Sequence, residues 1–180
     1  MLKLEYLFEN YELAREALSL WEHDEDNLEE MLGYFRISSN AVYPFTREGR
    51  VCFLRLGPVG EKAETDVRGE LEFIRYLLKE GYPALRPVRS LSGEDMVVAD
   101  TGFGRYFACV FEKVDGVEIS EAGYGREVMY AYGRALGRLH ALSSGYVPAV
   151  RKRDHKKILE GIRRTLEEYG GCRQAFTELA

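Results

Sequence analysis

Apolar and polar residues along the chain recur with the two periods that distinguish helices from strands. Apolar residues three and four positions apart predict helices, and glycine, proline or a capping side chain predicts where several of them begin or end. In chain order, the predicted helices cover residues 10–22, 27–32, 63–80, 120–143 and 154 to the glycines at 170 and 171. The pattern is strand-like before and after the third helix.

The strand-like runs predict one small sheet. The predicted strands lie at 34–38, 41–46 and 50–57 and then near 86–90, 95–100 and 104–114. Gly49 stands in the turn that joins the second strand to the third, where a hairpin needs a glycine. Short connections around one central helix predict an α+β fold, an antiparallel sheet of about five strands with that helix on its face. The predicted division is into N-terminal helices (1–33), a sheet domain (34–114) and the start of a helical unit (115–180).

Composition and charge narrow the class of protein. The chain of 180 residues is 46% hydrophobic with a net charge of −5, which favours a globular protein and gives no reason to expect nucleic acid or an anionic membrane as partner. No apolar run is long enough to span a bilayer or serve as a signal peptide. Cys52, Cys109 and Cys172 match no metal-binding spacing, and two of them lie in apolar strands as expected for buried thiols. We therefore expect a cytosolic protein.

Arg55 interrupts an otherwise apolar strand. Alternation along the strand places it on the same face as Val51 and Phe53. A guanidinium on a half-buried apolar face costs several kcal/mol (order of magnitude) unless it is paired and hydrogen-bonded. The strand therefore predicts an anionic partner for Arg55.

The helix that follows offers a partner on the face that its apolar residues turn to the sheet. Glu70 lies between Val67 and Ile74 at helical spacing and projects toward that face, whereas Glu72 is expected to be a solvated surface charge. Glu70 is therefore the predicted partner of Arg55. Two interpretations stay open, a structural ion pair that fixes helix to sheet and a pair that also binds phosphate.

Two further segments have the character of a ligand site, and each also has a purely structural interpretation. The turn at Ser38, Ser39 and Asn40 offers backbone N–H groups and small polar side chains that can bind phosphate, but such residues also simply form turns. The strand at 105–114 runs into Asp115-Gly116, where unpaired backbone groups can hydrogen-bond a planar base. An ordinary strand end is the alternative.

Taken together, these pieces resemble the aminoglycoside phosphotransferase and choline kinase-like family, which has a protein-kinase-like fold. The resemblance covers most of residues 34–145 and rests on four segments in the family's order, SSNAVYPF, VCFLRLG, ELEFIRYLLKEGYPALRPV, and VFEKVDGVEISE followed by YGRALGRLHALSSG. It implies an ATP-binding N-lobe, preceded by N-terminal helices and followed by the first helices of an incomplete helical C-lobe.

The resemblance also implies roles for single residues. It puts Ser38, Ser39 and Asn40 on the loop over the nucleotide phosphates, and it makes Glu70 the residue that orients Arg55. The carbonyl of Phe111 and the N–H of Lys113 would contact adenine at the hinge between the lobes. Arg55 falls where the family has a strand lysine, or sometimes arginine, that contacts the α- and β-phosphates. It departs from the lysine of well-known members, and arginine binds phosphate with a different geometry from lysine.

A larger departure is the absence of the family's catalytic loop. Phosphoryl transfer needs an aspartate to orient the acceptor and further oxygen ligands for Mg²⁺, and the family supplies them from a His-Gly-Asp loop and a later aspartate motif. Neither His23, His140 nor His155 begins such a loop. We therefore assign no catalytic or metal-binding residue, and expect ATP or GTP and Mg²⁺ to serve the complete kinase, of which this chain is a truncated N-terminal part.

The sequence leaves two functions open. The first is a small-molecule phosphotransferase, seen in part, whose hydroxyl-bearing acceptor is not identified. The second is a non-catalytic module that binds nucleotide or another protein, in which exposed C-terminal helices pair two copies of the chain into a homodimer.

Overall fold

The computed structural model describes residues 10–150 and 155–168, and the chain divides into two compact units, the first of which ends at residue 150. Most of the predicted helices are present. They are α1 (Asn10–Leu18), α2 (Leu28–Gly33), α3 (Glu64–Lys79), α4 (Ile119–Ala122), α5 (Arg126–Gly145) and, in the second unit, α6 (His155–Glu168). The predicted ends of the last helix lie outside the described residues.

One antiparallel sheet organises the first unit. Its six strands are β1 (Arg36–Ile37), β2 (Ala41–Arg47), β3 (Arg50–Pro58), β4 (Pro87–Val88), β5 (Met96–Thr101) and β6 (Gly104–Glu112). Their order is β1-β2-β3-β6, after which β4 and β5 both pair with β6. The strand that carries Arg55 is therefore central and lies beside the strand that leads out of the sheet, with Arg55 opposite Cys109. The predicted antiparallel sheet of about five strands is confirmed, and each of the six predicted strand segments has a counterpart among the described residues.

The two faces of the sheet are covered by different helices. Cys52, Leu54 and Leu56 alternate along β3 and pack in the core that holds α1 and α2. The opposite face packs against α3 through a second cluster of buried apolar residues, Val67, Leu71, Ile74, Met96, Phe107, Cys109 and Phe111. Arg55 belongs to this second face, where it is half-buried as its sequence position predicts. Cys52 and Cys109 are buried free thiols, as predicted, and Cys172 lies outside the described residues.

Two helix boundaries differ from the prediction. The helix predicted to begin at Ser120 is divided into α4 and α5, because Gly123 takes a φ of 78°, which a helix cannot contain. The first helix ends at Leu18 instead of continuing to residue 22. Trp21, which was predicted to lie within this helix, instead follows its end and is only 1% exposed. Its indole N–H donates to the carbonyl of Val88 at 3.0 Å.

Among the helices of the described residues, none has the length and apolar character that crossing a bilayer requires.

Candidate functional site

Arg55 and Glu70 form the predicted ion pair. The Nη1 of Arg55 donates to Oε1 of Glu70 at 2.6 Å, and its Nη2 donates to Oε2 at 3.1 Å. This two-pronged geometry matches the planar guanidinium to the carboxylate. The Arg55 side chain is 19% exposed and that of Glu70 is 39% exposed, so the pair borders solvent on the helix side.

The surroundings of Arg55 keep its side chain charged. Burial disfavours the charged form, but the hydrogen bonds and charge of Glu70 outweigh it and raise the pKa of Arg55. The guanidinium carbon lies 5.1 Å from the centre of the Phe111 ring, within the range of a cation–π contact. Burial raises the pKa of the neighbouring Cys109 thiol to about 11, so this thiol stays neutral beside the guanidinium.

A cavity of about 250 Å³ opens beside this pair. Asn40, from the β1–β2 turn, lines it together with Arg55 and Glu70. Ser38 and Ser39 are exposed and do not line it. Its lining residues are Asn40, Arg55, Gly57, Glu61, Lys62, Asp66, Val67, Glu70, Phe107 and Cys109.

Lys62 lines this cavity, but its place in the sequence did not identify it as a site residue. Its ammonium donates a hydrogen bond to Oδ1 of Asn40. In the sequence it lies in the charged run Glu61-Lys62-Ala63-Glu64, which has the composition of an ordinary surface connection. The one feature that could have drawn attention to it is its place in a short connection between the Arg55 strand and the Glu70 helix.

The hinge groups differ from the prediction. The N–H of Lys113 donates to the carbonyl of Val51 at 3.0 Å, so it extends the β3–β6 ladder and is not offered to a base. Phe111 pairs with Phe53 in the same ladder. Since backbone groups two residues apart on a strand point to the same side, the Phe111 carbonyl also faces β3.

The edge of residues 112–115 that faces away from β3 borders another cavity. Glu112 donates its N–H to the carbonyl of Arg86, away from β3. By the same alternation, the Glu112 carbonyl points to this side, and Val114, just beyond the end of β6, lines the cavity there. A cavity of about 500 Å³ lies here, and its lining includes residues 112–115 and the turn 81–84 after α3.

Glu72 is more than the solvated surface charge predicted for it. Its carboxylate accepts the N–H groups of Ala149 at 2.8 Å and Val150 at 2.9 Å. These two hydrogen bonds lower its pKa. On the same side of α3, Tyr76 donates its hydroxyl hydrogen to the carbonyl of Leu142 at 3.1 Å. The helix that carries Glu70 is therefore fastened to the segment that follows α5.

The chain matches known proteins over most of its length. A family model described as the phosphotransferase enzyme family matches residues 36–170. Amicoumacin kinase of Bacillus subtilis (strain 168) is 24% identical over 141 residues, which are 78% of this chain and 41% of that protein.

Two solved structures are similar to the chain. One is amicoumacin kinase hAmiN in complex with AMP-PNP, Ca²⁺ and Ami, with a TM-score of 0.71, 23% identity, and coverage of 86% of this chain and 48% of that one. The other is a microcompartment-associated aminopropanol kinase, with a TM-score of 0.62, 19% identity, and coverage of 79% and 44%. This chain thus spans less than half the length of each relative.

Proposed function

Because the chain belongs to the phosphotransferase enzyme family, we propose that it is the nucleotide-binding part of a kinase that transfers the γ-phosphate of ATP to a small hydroxyl-bearing acceptor. The family predicted from the sequence is confirmed by the match, and the protein-kinase-like fold is confirmed by the structural likeness. The observation that carries the proposal is the Arg55–Glu70 pair, which lies with Asn40 at one cavity.

Arg55 is the proposed phosphate-binding residue. Its guanidinium has five N–H donors, and the carboxylate of Glu70 accepts two of them, so donors remain for phosphate oxygens. Glu70 holds the guanidinium in one orientation, and Asn40 brings the β1–β2 turn to the same cavity. In this proposal Ser38 and Ser39 contact phosphate only if the turn moves toward the cavity.

The proposed contacts of the base lie one residue further along than the sequence predicted. The Lys113 N–H is held by the β3 ladder, and the Phe111 carbonyl faces the same strand. The Glu112 carbonyl lies on the opposite edge, and Val114 lines the same cavity two residues later. One acceptor and one donor two residues apart suit the edge of adenine, so we assign the base to the Glu112 carbonyl and the Val114 N–H.

Phosphoryl transfer needs groups that the described part of the chain does not supply. No cluster of three His, Cys, Asp or Glu side chains that could hold a metal ion occurs in residues 10–150 or 155–168. The printed sequence contains no His-Gly-Asp triplet. Since this chain matches less than half the length of each relative, we propose that the divalent cation and the acceptor bind to a portion of the complete kinase outside this chain.

The proposal is tested by displacing a fluorescent ATP analogue from the full chain with unlabelled nucleotides. MgATP should displace it at lower concentration than adenosine, because the phosphates contact Arg55, and MgGTP tests the choice of base. The same chain should form no ADP above background with hydroxyl-bearing acceptors. Failure of the analogue to bind a folded chain would overturn the proposal.

A second candidate function has its own supporting observation. α5 has no buried residue, and Met129, Tyr132 and Leu136 form an exposed apolar stripe at helical spacing. A stripe of this kind suits a non-catalytic module in which two copies of the chain associate through α5.

A further inference from the structure

Lys62 connects three parts of the candidate nucleotide site. It lies in the short connection between β3 and α3, lines the same cavity as Arg55, and donates a hydrogen bond to Asn40 of the β1–β2 turn. Its side chain is half-buried. The preceding residue, Glu61, and the last lysine of α3, Lys79, are exposed. A lysine ordered in this way loses side-chain entropy, and one hydrogen bond to a neutral amide offsets only part of that loss.

Gly57 makes room for this arrangement. A β-carbon at Gly57 would lie 3.1 Å from Oδ1 of Asn40 and 3.4 Å from Cδ of Lys62. The first distance is tighter than ordinary van der Waals contact and the second is at its lower limit, so a side chain at this position would have to displace the Asn40 amide. Glycine at this position of β3 therefore lets Lys62 lie across the strand and reach the turn.

The chemistry of the ammonium suits a second role. A lysine ammonium carries three N–H donors and no acceptor, and Asn40 accepts one of the three. The other two can reach oxygen acceptors in the cavity. A phosphate group offers several such oxygens, and lysine binds phosphate as a compact point charge.

The charged side chains that line the cavity favour binding of one form of ATP, either bare or bound to a divalent cation. Arg55 and Lys62 face three carboxylates, those of Glu61, Asp66 and Glu70. Glu70 is already paired with Arg55 and exposed Glu61 is screened by salt, but half-buried Asp66 adds a negative charge at the cavity that disfavours a bare triphosphate. A phosphate chain whose charge is partly neutralised by a divalent cation therefore fits this cavity better than bare ATP does.

We propose that Lys62 is a second phosphate-binding residue, which contacts the nucleotide phosphates together with Arg55 while it holds Asn40 over them. The inference rests on the proposed nucleotide function and deepens it, because it assigns a residue that discriminates a nucleotide from its nucleoside. It differs from a purely structural role for Lys62, which would fasten the turn without touching ligand.

Equilibrium dialysis of the full chain with MgATP and with adenosine separates the two roles. Lys62→Gln keeps a side-chain N–H for Asn40 but removes the charge, and should weaken MgATP binding about tenfold, the value of one charge-assisted hydrogen bond. Its adenosine binding should equal that of the wild type. Lys62→Arg should retain most of the MgATP affinity, and Lys79→Gln, an exposed lysine of α3, should change neither.

The outcomes are distinguishable. If the wild type binds MgATP and Lys62→Gln binds it equally well, Lys62 is structural and the inference is overturned while the proposed function stands. If Lys62→Gln weakens adenosine and MgATP by the same factor, Lys62 acts only through the turn, and the inference again fails. If the folded wild type binds no nucleotide, both the inference and the proposed function fall.

Discussion

Arg55 is a charged residue in a strand whose other residues on the same face are apolar, and Glu70 makes its presence tolerable. The pair is bidentate, with the guanidinium 19% exposed and the carboxylate 39% exposed. Breaking a fully buried pair costs about 3–5 kcal/mol, whereas exposed pairs contribute about 1 kcal/mol or less. This pair stands between those limits.

Replacing Glu70 by glutamine should therefore lower the free energy of unfolding by about 1–2 kcal/mol, because Arg55 loses its carboxylate in a half-buried position. Urea denaturation of the two proteins measures the difference. Glu64→Gln breaks the exposed Glu64–Arg68 pair one turn and a half earlier on α3, and should cost less than about 0.5 kcal/mol. Equal losses in the two variants would show that the Arg55–Glu70 pair adds nothing to stability.

Sequence reasoning identified this pair but not the whole site. Alternation along β3 and the apolar face of α3 locate Arg55 and Glu70 independently, and the two patterns agree. Lys62 has no such pattern, because its position depends on how a connection folds back over Gly57. The sequence also does not show that the β3 ladder extends to Lys113, whose N–H donates to the carbonyl of Val51.

Among the elements, α3 joins the sheet to the segment after α5. Its inner face carries Glu70, and its outer face carries Glu72, which accepts the N–H groups of Ala149 and Val150. At its carboxyl end, Arg138 of α5 donates to the carbonyls of Glu80 and Gly81 at 3.1 and 3.0 Å. These contacts fix α3 from both sides, which keeps Glu70 aligned with Arg55.

Glu72 should make stability depend on pH. Its folded-state pKa is lowered from the ordinary value of 4.5 by the two N–H donors, so its contribution is present above that value and lost as pH falls through the folded pKa. Glu72→Gln should therefore be less stable than the wild type at pH 7, and the difference should shrink below about pH 4. Thermal unfolding of both proteins across about pH 3–7, a range around ordinary carboxyl pKa values, measures this difference in stability. A difference that stays constant over the range would contradict the role assigned to Glu72.

Trp21 fastens the N-terminal helices to the sheet. It is 1% exposed and donates to the carbonyl of Val88. Trp21→Phe keeps an aromatic ring but removes the donor, and should lower the free energy of unfolding by about 1–3 kcal/mol because the hydrogen bond to the Val88 carbonyl and part of the buried ring are lost. Urea denaturation tests this against Tyr34→Phe, at an exposed position, which should be nearly neutral. Equal stability of Trp21→Phe and the wild type would contradict the anchoring role.

The sequence predicts which helices and strands are present better than it predicts the residues at which they begin and end. The periods of α3, β2 and β3 are strong because each element has one buried face and one less buried face. The division between α4 and α5 follows instead from the backbone conformation at Gly123, and glycine at that point is also compatible with a continuous helix. The end of α1 depends on a tertiary contact, the bond from Trp21 to Val88.

At the scale of the whole molecule, the exposed stripe of α5 predicts self-association. Met129→Glu combined with Leu136→Glu should reduce association measured by sedimentation velocity over a concentration series. It should leave the free energy of unfolding nearly unchanged, because both side chains are exposed. Val147→Glu, at an exposed apolar residue outside the stripe, is the matched control. A wild-type chain that remains monomeric at all concentrations would contradict association through α5.

If Arg55, oriented by Glu70, binds the phosphates of a nucleotide, calorimetric titration with MgATP will detect that binding and its loss. The full chain should show saturable binding, Arg55→Ala should weaken it at least about tenfold, and Arg68→Ala, on the exposed side of α3, should bind as the wild type does. Circular dichroism verifies that each variant is folded. Absence of binding by the folded wild type, or undiminished binding by Arg55→Ala, would show that Arg55 does not bind the phosphates of a nucleotide in this chain.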